Sequence, residues 1–252
     1  MTIDSPKIDQ LPQLRALWKE AFGDTDAYLD SFFTLGFSPE RCRCMTEDGQ
    51  VSAALYWFDC SCQGARLAYL YAVATAENRR GVGLCRLLMD NTHAHLKKAG
   101  YAGAILVPAS ASLRQMYEKM GYLPATRIHE LRCAAGEKAV TLTLLDRDKY
   151  EHRRPELLPP DGVVQTGPIT ALLADQCSLW GGQDFLLAAW IEEGVLHAEE
   201  LLGNTAAAPE ILKALGAKTG VFQTPGNGED FAMYLPFCLC CPKPGYFGIS
   251  LG

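Results

Sequence analysis

The sequence predicts an α/β protein of the α+β kind, in which a mixed central sheet flanked by helices is followed by a second, diverged copy of that arrangement. Apolar residues recur every three or four positions over residues 11–22, which indicates an amphipathic helix that ends at Gly23. The Asp48–Gly49 turn then separates residues 43–46 from residues 51–58, and this pattern predicts a β-hairpin.

Helices and strands alternate in the rest of the first half of the chain. One helix is predicted to start at Gly83 and to stop at Gly100, and another is capped by Ser110 or Ser112. The strands predicted around these helices lie at residues 66–74, 102–107, 122–126 and 128–133.

A change of composition divides the chain into two domains. Prolines and glycines accumulate between Asp146 and Pro168, which indicates a connector. We therefore predict a first domain at residues 1–135, a linker with a short helix at 136–167 and a second domain at 168–252. The second domain repeats the element order of the first, which indicates a diverged internal repeat. Its predicted elements are helices at 169–179 and 207–215 and strands at 185–191, 195–202, 221–223, 231–235 and 247–251.

Composition bounds the environment and the partners. Hydrophobic residues make up 48% of the 252 residues, and the formal net charge is −6. A mildly acidic chain argues against nucleic acid or a membrane surface as the partner, while its oligomeric state remains open. No apolar run is long enough to span a membrane or to act as a secretory leader, so we expect a cytoplasmic protein. The 10 cysteines are accordingly expected to be reduced structural thiols, with no metal site.

The loop between the strand at 66–74 and the following helix has the composition of an anion site. Arg79 and Arg80 precede Gly81-Val82-Gly83, and the helix opens at once. Backbone N–H groups at a helix N-terminus are unpaired and carry partial positive charge, so they bind phosphate well. The two glycines allow a phosphate to approach the backbone, and the arginines can add charge-assisted contacts. The spacing fits neither a P-loop nor a dinucleotide fingerprint.

A second motif follows about thirty residues later and identifies a family. Residues 117–122 read Tyr-Glu-Lys-Met-Gly-Tyr. With the glycine loop, this segment resembles the GNAT superfamily of N-acetyltransferases, whose motifs are Arg/Gln-x-x-Gly-x-Gly/Ala and Tyr-Glu-Lys-x-Gly-Phe/Tyr. The sequence departs from the family at Asn78, where the first motif begins, and at Ser110, where the family often has asparagine. The tandem layout is similar to the first two domains of the enhanced-intracellular-survival type of acetyltransferase; we expect no third, sterol-carrier-like domain.

The resemblance implies acetyl-CoA as co-substrate and a primary amine of a small molecule or peptide as acceptor. Tyr117 would protonate the departing thiolate of CoA, a task that suits a phenol because it is protonated at neutral pH. The backbone of Ala72 and Val73 would contact the pantetheine arm and polarise the thioester carbonyl. The residues expected to bind the cofactor are Ala72, Val73, Arg79, Arg80, Gly81, Val82, Gly83 and Leu84.

The base that accepts the amine's proton is not identified by any motif. His129 and Glu130 lie on a strand predicted near the site, although an exposed strand position is the simpler interpretation. In the similar subfamily a chain-terminal carboxylate can enter the active site, so we hypothesise that Gly252 supplies it. Residues 203–205 occupy the place of the phosphate loop in the second domain but lack arginine and paired glycines, so we expect them to bind no CoA.

Two other functions remain open at this point. Asn78 and the missing base favour a non-catalytic acyl-CoA sensor or interaction module, whereas Tyr117 favours an enzyme. An aminoacyl- or longer-chain acyltransferase on tandem GNAT folds is the second alternative. The leading hypothesis is an N-acetyltransferase that acts by direct attack of the amine, without a covalent enzyme intermediate.

Overall fold

A computed structural model of the protein describes residues 1–239 and 241–251. Its helices are α1 (Leu11–Phe22), α2 (Asp26–Ser31), α3 (Leu84–Lys98), α4 (Ala111–Glu118), α5 (Arg147–Leu157), α6 (Pro168–Gln176) and α7 (Ala208–Leu215). Its strands are β1 (Thr2–Asp4), β2 (Cys42–Glu47), β3 (Gln50–Cys62), β4 (Ala65–Thr75), β5 (Gly103–Leu106), β6 (Leu123–Pro124), β7 (Arg127–Ala134), β8 (Thr143–Leu144), β9 (Val164–Gln165), β10 (Ser178–Gly181), β11 (Phe185–Glu192), β12 (Val195–Gly203), β13 (Thr219–Pro225), β14 (Glu229–Asp230) and β15 (Met233–Pro236).

Local sequence signals account for most of these elements. Gly23 ends α1 in the left-handed conformation, at a φ of 74° that favours glycine. Ser110 caps α4, and its hydroxyl accepts a hydrogen bond from the amide of Leu113 at 3.2 Å. Asp146 caps α5 in the same way, through the amide of Lys149 at 2.8 Å.

The strands form two mixed sheets. The first has the order β1-β2-β3-β4-β5-β15-β6, with β9 also paired to β3, and the second has the order β14-β7-β13-β12-β11-β10-β8. Each sheet contains one parallel pair, β4 with β5 in the first and β12 with β13 in the second. In both sheets a helix (α3 or α7) connects the two strands of that pair.

The two sheets exchange strands across the predicted connector. β7 follows β6 of the first sheet along the chain, yet it pairs antiparallel with β13 of the second sheet over residues 128–134. β15 comes from the far end of the chain, yet it fills the gap between β5 and β6 of the first sheet. The division at residues 135 and 168 therefore describes the order of the chain and does not separate the two sheets.

The first sheet buries a hydrophobic core on each face. Along β4, alternation turns Tyr69 and Tyr71 toward α1 and α2, whereas Leu70 faces the side that α3 covers. Trp18 of α1 packs on the first face with its ring centroid 4.4 Å from that of Phe32. Burial of an aromatic side chain of this size stabilises the fold by roughly 2–3 kcal/mol.

The segment after β15 differs from the sequence prediction. Residues 247–251 were predicted as a strand, but they form no regular strand even though they are buried. Side chains hold the segment instead: the Gln165 amide pairs with the backbone of Ile249, and Glu199 accepts hydrogen bonds from the amides of Ser250 and Leu251. The predicted helix at 169–179 is also shorter, because Leu179 belongs to β10.

Two of the cysteines depart from the sequence prediction. Cys238 and Cys241 form a disulfide, with their Cα atoms 5.6 Å apart. The expectation that all thiols are reduced is wrong for these two cysteines, which have the Cys-x-x-Cys spacing. The remaining described cysteines are free, and most are buried. Within the described part of the chain there is no cluster of side chains that could hold a metal, and none of the helices is long and apolar enough to cross a bilayer.

Candidate active site

One cavity of about 600 Å³ opens where the first sheet, α1, α4, α6 and β12 meet. β4 contributes Tyr69 to Val73 to its lining, β5 and the loop after it contribute Leu106 and Val107, and α4 contributes Tyr117. The second half of the chain contributes Glu199 and the segment before Gly252. Residues far apart in the sequence therefore meet in one concave site.

The cavity exists because β4 and β5 separate. Their parallel pairing covers only Leu67–Tyr69 against Gly103–Ile105. β4 continues as far as Thr75 without a partner on that side, so its edge remains available to another hydrogen-bonding chain. A strand edge that opens beside a cavity is suited to bind an extended amide-containing ligand.

A β-bulge at this edge changes the direction of the backbone. β3 and β4 pair Tyr56 with Tyr71 but Ala54 with Ala74, so that Ala72 and Val73 together face a single residue of β3. Ala72 has a φ of 47°, in the left-handed region that alanine rarely adopts. Both Ala72 and Val73 line the cavity, and their predicted contact with the pantetheine arm stays a prediction.

The glycine loop leaves the N-terminus of α3 free. Gly81 and Gly83 have φ values of 81° and 87°, and a Cβ at either position would meet nothing within 4 Å. Among the described residues no side chain caps α3, and Val82 is 67% exposed. The backbone amides at the start of α3, from Leu84 onward, therefore face open space. The side chain of Leu84 itself is buried. This local geometry is that of an anion site.

The two arginines of the loop contact the protein itself. Arg79 forms an ion pair with Glu47 at 2.6 Å, and the Nε of Arg80 donates to the carbonyl of Thr75 at 3.0 Å. These contacts hold the loop against β2 and β4. The prediction that Arg79 and Arg80 also bind phosphate stays a prediction.

Tyr117 lies on α4 with its side chain largely buried and faces the cavity. Burial raises the pKa of its hydroxyl above the ordinary value, so the phenol stays protonated at neutral pH. Its ring packs edge to face against Tyr122, with centroids 5.7 Å apart. A protonated phenol held in a cavity is a suitable proton donor.

The other end of the cavity is acidic and aromatic. Glu199 occupies a β-bulge, since β11 and β12 pair Ala188 with Glu200 and Ala189 with Ala198. Its Oε1 accepts hydrogen bonds from the amide of Ser250 at 3.1 Å, from the Ser250 hydroxyl at 3.0 Å and from the amide of Leu251 at 3.2 Å. Burial raises the pKa of the Glu199 carboxyl.

Tyrosines of β4 fix the chain beside Glu199. The hydroxyl of Tyr69 donates to the carbonyl of Ser250 at 2.7 Å, and that of Tyr71 donates to the carbonyl of Leu251 at 2.9 Å. These contacts bring the last described residues to the cavity wall. Gly252, hypothesised to supply the base, lies outside the described residues.

Other candidates from the sequence lie elsewhere. His129 and Glu130 are exposed on β7 in the second sheet, as the simpler interpretation predicted, and do not line the cavity. His93 is buried on α3 and contacts the Tyr122 hydroxyl at 2.8 Å. In the second domain, Asn204 accepts from the amide of Ala206 at 3.2 Å, so a side chain already occupies that loop.

Several cavity residues have no motif that would have identified them. These are Trp18, Phe22, Asp24, Tyr28, Gln176, Trp190 and Glu199. Among them Trp190 is 41% exposed. The available signal was the Glu199-Glu200 pair, because two consecutive acids in a mainly apolar strand break its alternation.

Comparison with known proteins identifies the family of the first half of the chain. Residues 2–125 match the family model described as acetyltransferase (GNAT) domain. This part of the chain is therefore a domain of the GNAT acetyltransferase family. The match spans both motifs, the glycine loop and the segment around Tyr117, on which the sequence-based resemblance depends. Among curated proteins no significant match was found.

Solved structures extend the likeness to almost the whole chain. A GCN5-related N-acetyltransferase from Kribbella flavida has a TM-score of 0.73 at 19% identity, covering 92% of this chain and 70% of that one. A GCN5-related N-acetyltransferase from Anabaena variabilis ATCC 29413 has a TM-score of 0.72 at 14% identity, covering 95% and 73%. Eis1 from Mycobacterium abscessus has a TM-score of 0.71 at 12% identity, covering 94% and 74%. At these identities the likeness concerns the fold, and it confirms the predicted GNAT fold class.

Proposed function

We propose that the protein is an N-acetyltransferase that moves the acetyl group of acetyl-CoA to a primary amine. One observation carries the proposal: the protonated hydroxyl of Tyr117 and the bulged edge at Ala72 and Val73 line the same cavity. A backbone that can polarise a thioester and an acid that can protonate its leaving group are the two parts such a transfer needs. The GNAT domain match supports the same chemistry.

Each part of acetyl-CoA would have its own contacts. The free amides at Gly81 to Leu84 would hold the pyrophosphate, and Arg79 and Arg80 could exchange their present contacts for phosphate oxygens. The open edge of β4 would pair with the pantetheine amides, which leaves the thioester beside Val73.

The reaction would proceed by direct attack. The amine nitrogen forms a bond to the carbonyl carbon of the thioester, the carbon–sulfur bond breaks, and the thiolate takes the proton of Tyr117. The amine gives up one proton to a base, and water returns the proton to Tyr117 between turnovers. Cys85 is not required as a nucleophile, and burial raises the pKa of its thiol, which keeps the thiol protonated. The carboxylate of Gly252 remains our hypothesis for the base.

The test follows the release of free thiol from acetyl-CoA with a panel of primary amines, alongside calorimetric binding of acetyl-CoA. Tyr117→Phe should lower kcat roughly 100-fold and leave acetyl-CoA binding unchanged. Tyr122→Phe is a matched control, because it removes a neighbouring hydroxyl that contacts His93. Its turnover should resemble that of the unaltered protein.

The alternatives give different results in the same experiment. Binding of acetyl-CoA without thiol release on any amine would overturn the enzyme and favour the non-catalytic sensor. If longer acyl-CoAs compete with acetyl-CoA for binding and are turned over faster than acetyl-CoA, the result would favour a longer-chain acyltransferase. Absence of acyl-CoA binding would overturn the N-acetyltransferase, the sensor and the longer-chain acyltransferase, whereas binding of charged tRNA in its place would favour an aminoacyltransferase.

A further inference from the structure

The cavity carries an excess of negative charge. Asp24 and Glu199 both line it, while no lysine, arginine or histidine of the described residues does so. Two carboxylates in a partly enclosed site with low-dielectric walls attract a cation and repel an anion. A primary amine is a cation at neutral pH until it gives up a proton. The charge of the wall therefore matches the acceptor side of the proposed reaction.

Glu199 has one carboxylate oxygen engaged and one that is not. Its Oε1 accepts three hydrogen bonds from Ser250 and Leu251, whereas no described residue donates to Oε2. The bulge removes Glu199 from the strand pairing and leaves its side chain at the cavity wall. A carboxylate fixed through one oxygen presents the other in a defined direction, which is suited to receive an N–H donor.

The walls around these carboxylates are aromatic. Trp18 and Tyr28 form the inner part, while Phe22 and Trp190 are 46% and 41% exposed at the opening. The Trp190 ring stacks on His197, with centroids 5.3 Å apart and planes within 15° of each other. Exposed aromatic rings beside a cavity provide apolar contact area, and their faces attract cations.

Many of the polar groups in the cavity already form hydrogen bonds within the protein and leave little capacity for a polyhydroxylated ligand. The hydroxyls of Tyr28 and Tyr71 hydrogen-bond to each other, and Tyr71 also donates to Leu251. Asp24 accepts the indole N–H of Trp18 at 2.7 Å. A sugar with several hydroxyls would find partners at Asp24, Gln176 and Glu199 for only some of them, and the others would lose hydration without an equivalent partner.

From these features we infer that the acceptor is a primary amine carried on an apolar, preferably aromatic body, and that Oε2 of Glu199 binds its ammonium group. This inference rests on the proposed acetyl transfer. The aromatic body would pack between Phe22 and Trp190, and the amine would approach the thioester from the side of Glu199. An acceptor that bears its own carboxylate next to the amine would be repelled by Asp24 and Glu199.

Three amines test the class. They are 2-phenylethylamine, phenylalanine, which adds a carboxylate to the same skeleton, and glucosamine, which replaces the apolar body with hydroxyls. We expect kcat/KM for 2-phenylethylamine to exceed that for each of the others by at least about tenfold. Glucosamine or phenylalanine used equally well would overturn the inference.

A variant pair tests Glu199. Glu199→Gln keeps an oxygen for Ser250 and Leu251 but removes the charge, and should raise KM for 2-phenylethylamine roughly 10- to 100-fold. KM for acetyl-CoA should not change. Glu192→Gln removes an equal charge from an exposed position on β11 and should have no effect. An unchanged amine KM in Glu199→Gln would overturn the role of Glu199.

Two measurements separate this inference from the proposed function. If no amine releases thiol although acetyl-CoA binds, the proposed function fails and the inference fails with it. If amines are acetylated without preference for the apolar body, the function stands and the inference alone fails. If Glu199→Gln no longer binds acetyl-CoA, the variant has lost its fold and cannot test the role of Glu199. The amine preference of the unaltered protein then decides whether the inference stands.

Discussion

Arg154 and Glu200 form a bidentate ion pair in the interior of the protein. The Nε of Arg154 donates to Oε2 of Glu200 at 2.7 Å, a terminal nitrogen of Arg154 donates to Oε1 at 2.8 Å, and both side chains are at most 1% exposed. Tyr150 and Tyr246 donate to the same carboxylate at 2.9 and 3.0 Å. The pair therefore joins α5 of the connector to β12 and to the segment that reaches the cavity. Glu199 is held beside this fixed point.

Loss of one partner of the pair should strongly destabilise the protein. Glu200→Gln leaves the Arg154 guanidinium buried without its counter-charge, and we expect a loss of about 3–5 kcal/mol in the free energy of unfolding. Urea denaturation monitored by tryptophan fluorescence measures it. Glu130→Gln is the control, because Glu130 pairs with Arg132 at an exposed position of β7 and should matter little. A similar, small effect of both variants would contradict the prediction.

Alanine substitutions at the two ends of α3 should have the same effect on stability but different effects on acetyl-CoA binding. Gly83 and Gly100 lie at opposite ends of α3, with φ values of 87° and 81° and open space where a Cβ would stand. Alanine at either position should destabilise the protein by about 1–2 kcal/mol, since both require the left-handed conformation. Only Gly83→Ala should raise KM for acetyl-CoA, because only this end of α3 offers free amides. Equal KM values in the two variants would exclude a phosphate site at the loop.

The hypothesis for Gly252 can be tested by moving its carboxylate. Ser250 and Leu251, the last described residues, are fixed at the cavity wall by Glu199, Tyr69 and Tyr71. Adding three alanines after Gly252 should lower kcat roughly 100-fold at an unchanged melting temperature. Gly252→Ala keeps a carboxylate at the same position and should remain active. Full activity of the extended protein would exclude this carboxylate as the base.

The elements that the sequence predicted well depend on local signals. The glycine loop, the cap Ser110 and the periodicity of α1 each lie within a few residues, and the structure places these elements as predicted. The sequence singles out Tyr117 as a candidate because its motif is contiguous and lies at a fixed distance from the loop. Local patterns of this kind define an element and its ends, whatever the element later packs against.

The features that the sequence did not predict depend on distant partners. Alternation marks β7 and β15 as strands but does not encode which sheet either joins, so their exchange could not be foreseen. Residues 247–251 have the composition of a strand, yet Gln165 and Glu199 satisfy part of their backbone in place of a strand ladder. The acceptor side of the cavity combines Trp18, Glu199 and residues between them, and no single stretch of sequence carries that combination.

A buried histidine should make stability depend on pH. Burial lowers the pKa of His93 to about 4, while Asp90 raises it and Lys97 lowers it by smaller amounts. In the unfolded chain His93 takes up a proton near its ordinary pKa of about 6.5, so the unfolded state binds more protons between pH 6.5 and 4. Stability that His93 contributes above pH 6.5 is therefore lost as the pH falls, by up to ~3 kcal/mol near pH 4.

A variant isolates this effect from other titrating groups. His93→Gln can retain a hydrogen bond to the Tyr122 hydroxyl but cannot be protonated. Its free energy of unfolding, measured in urea at half-unit steps from pH 7.5 to 4, should fall less steeply than that of the unaltered protein. The difference between the two curves belongs to His93, because Glu199 and the other carboxyl groups titrate in both proteins. His129→Gln, at an exposed position of β7, should follow the unaltered protein. If the free energy of unfolding of His93→Gln also fell as steeply with pH as that of the unaltered protein, a low pKa of His93 would be excluded.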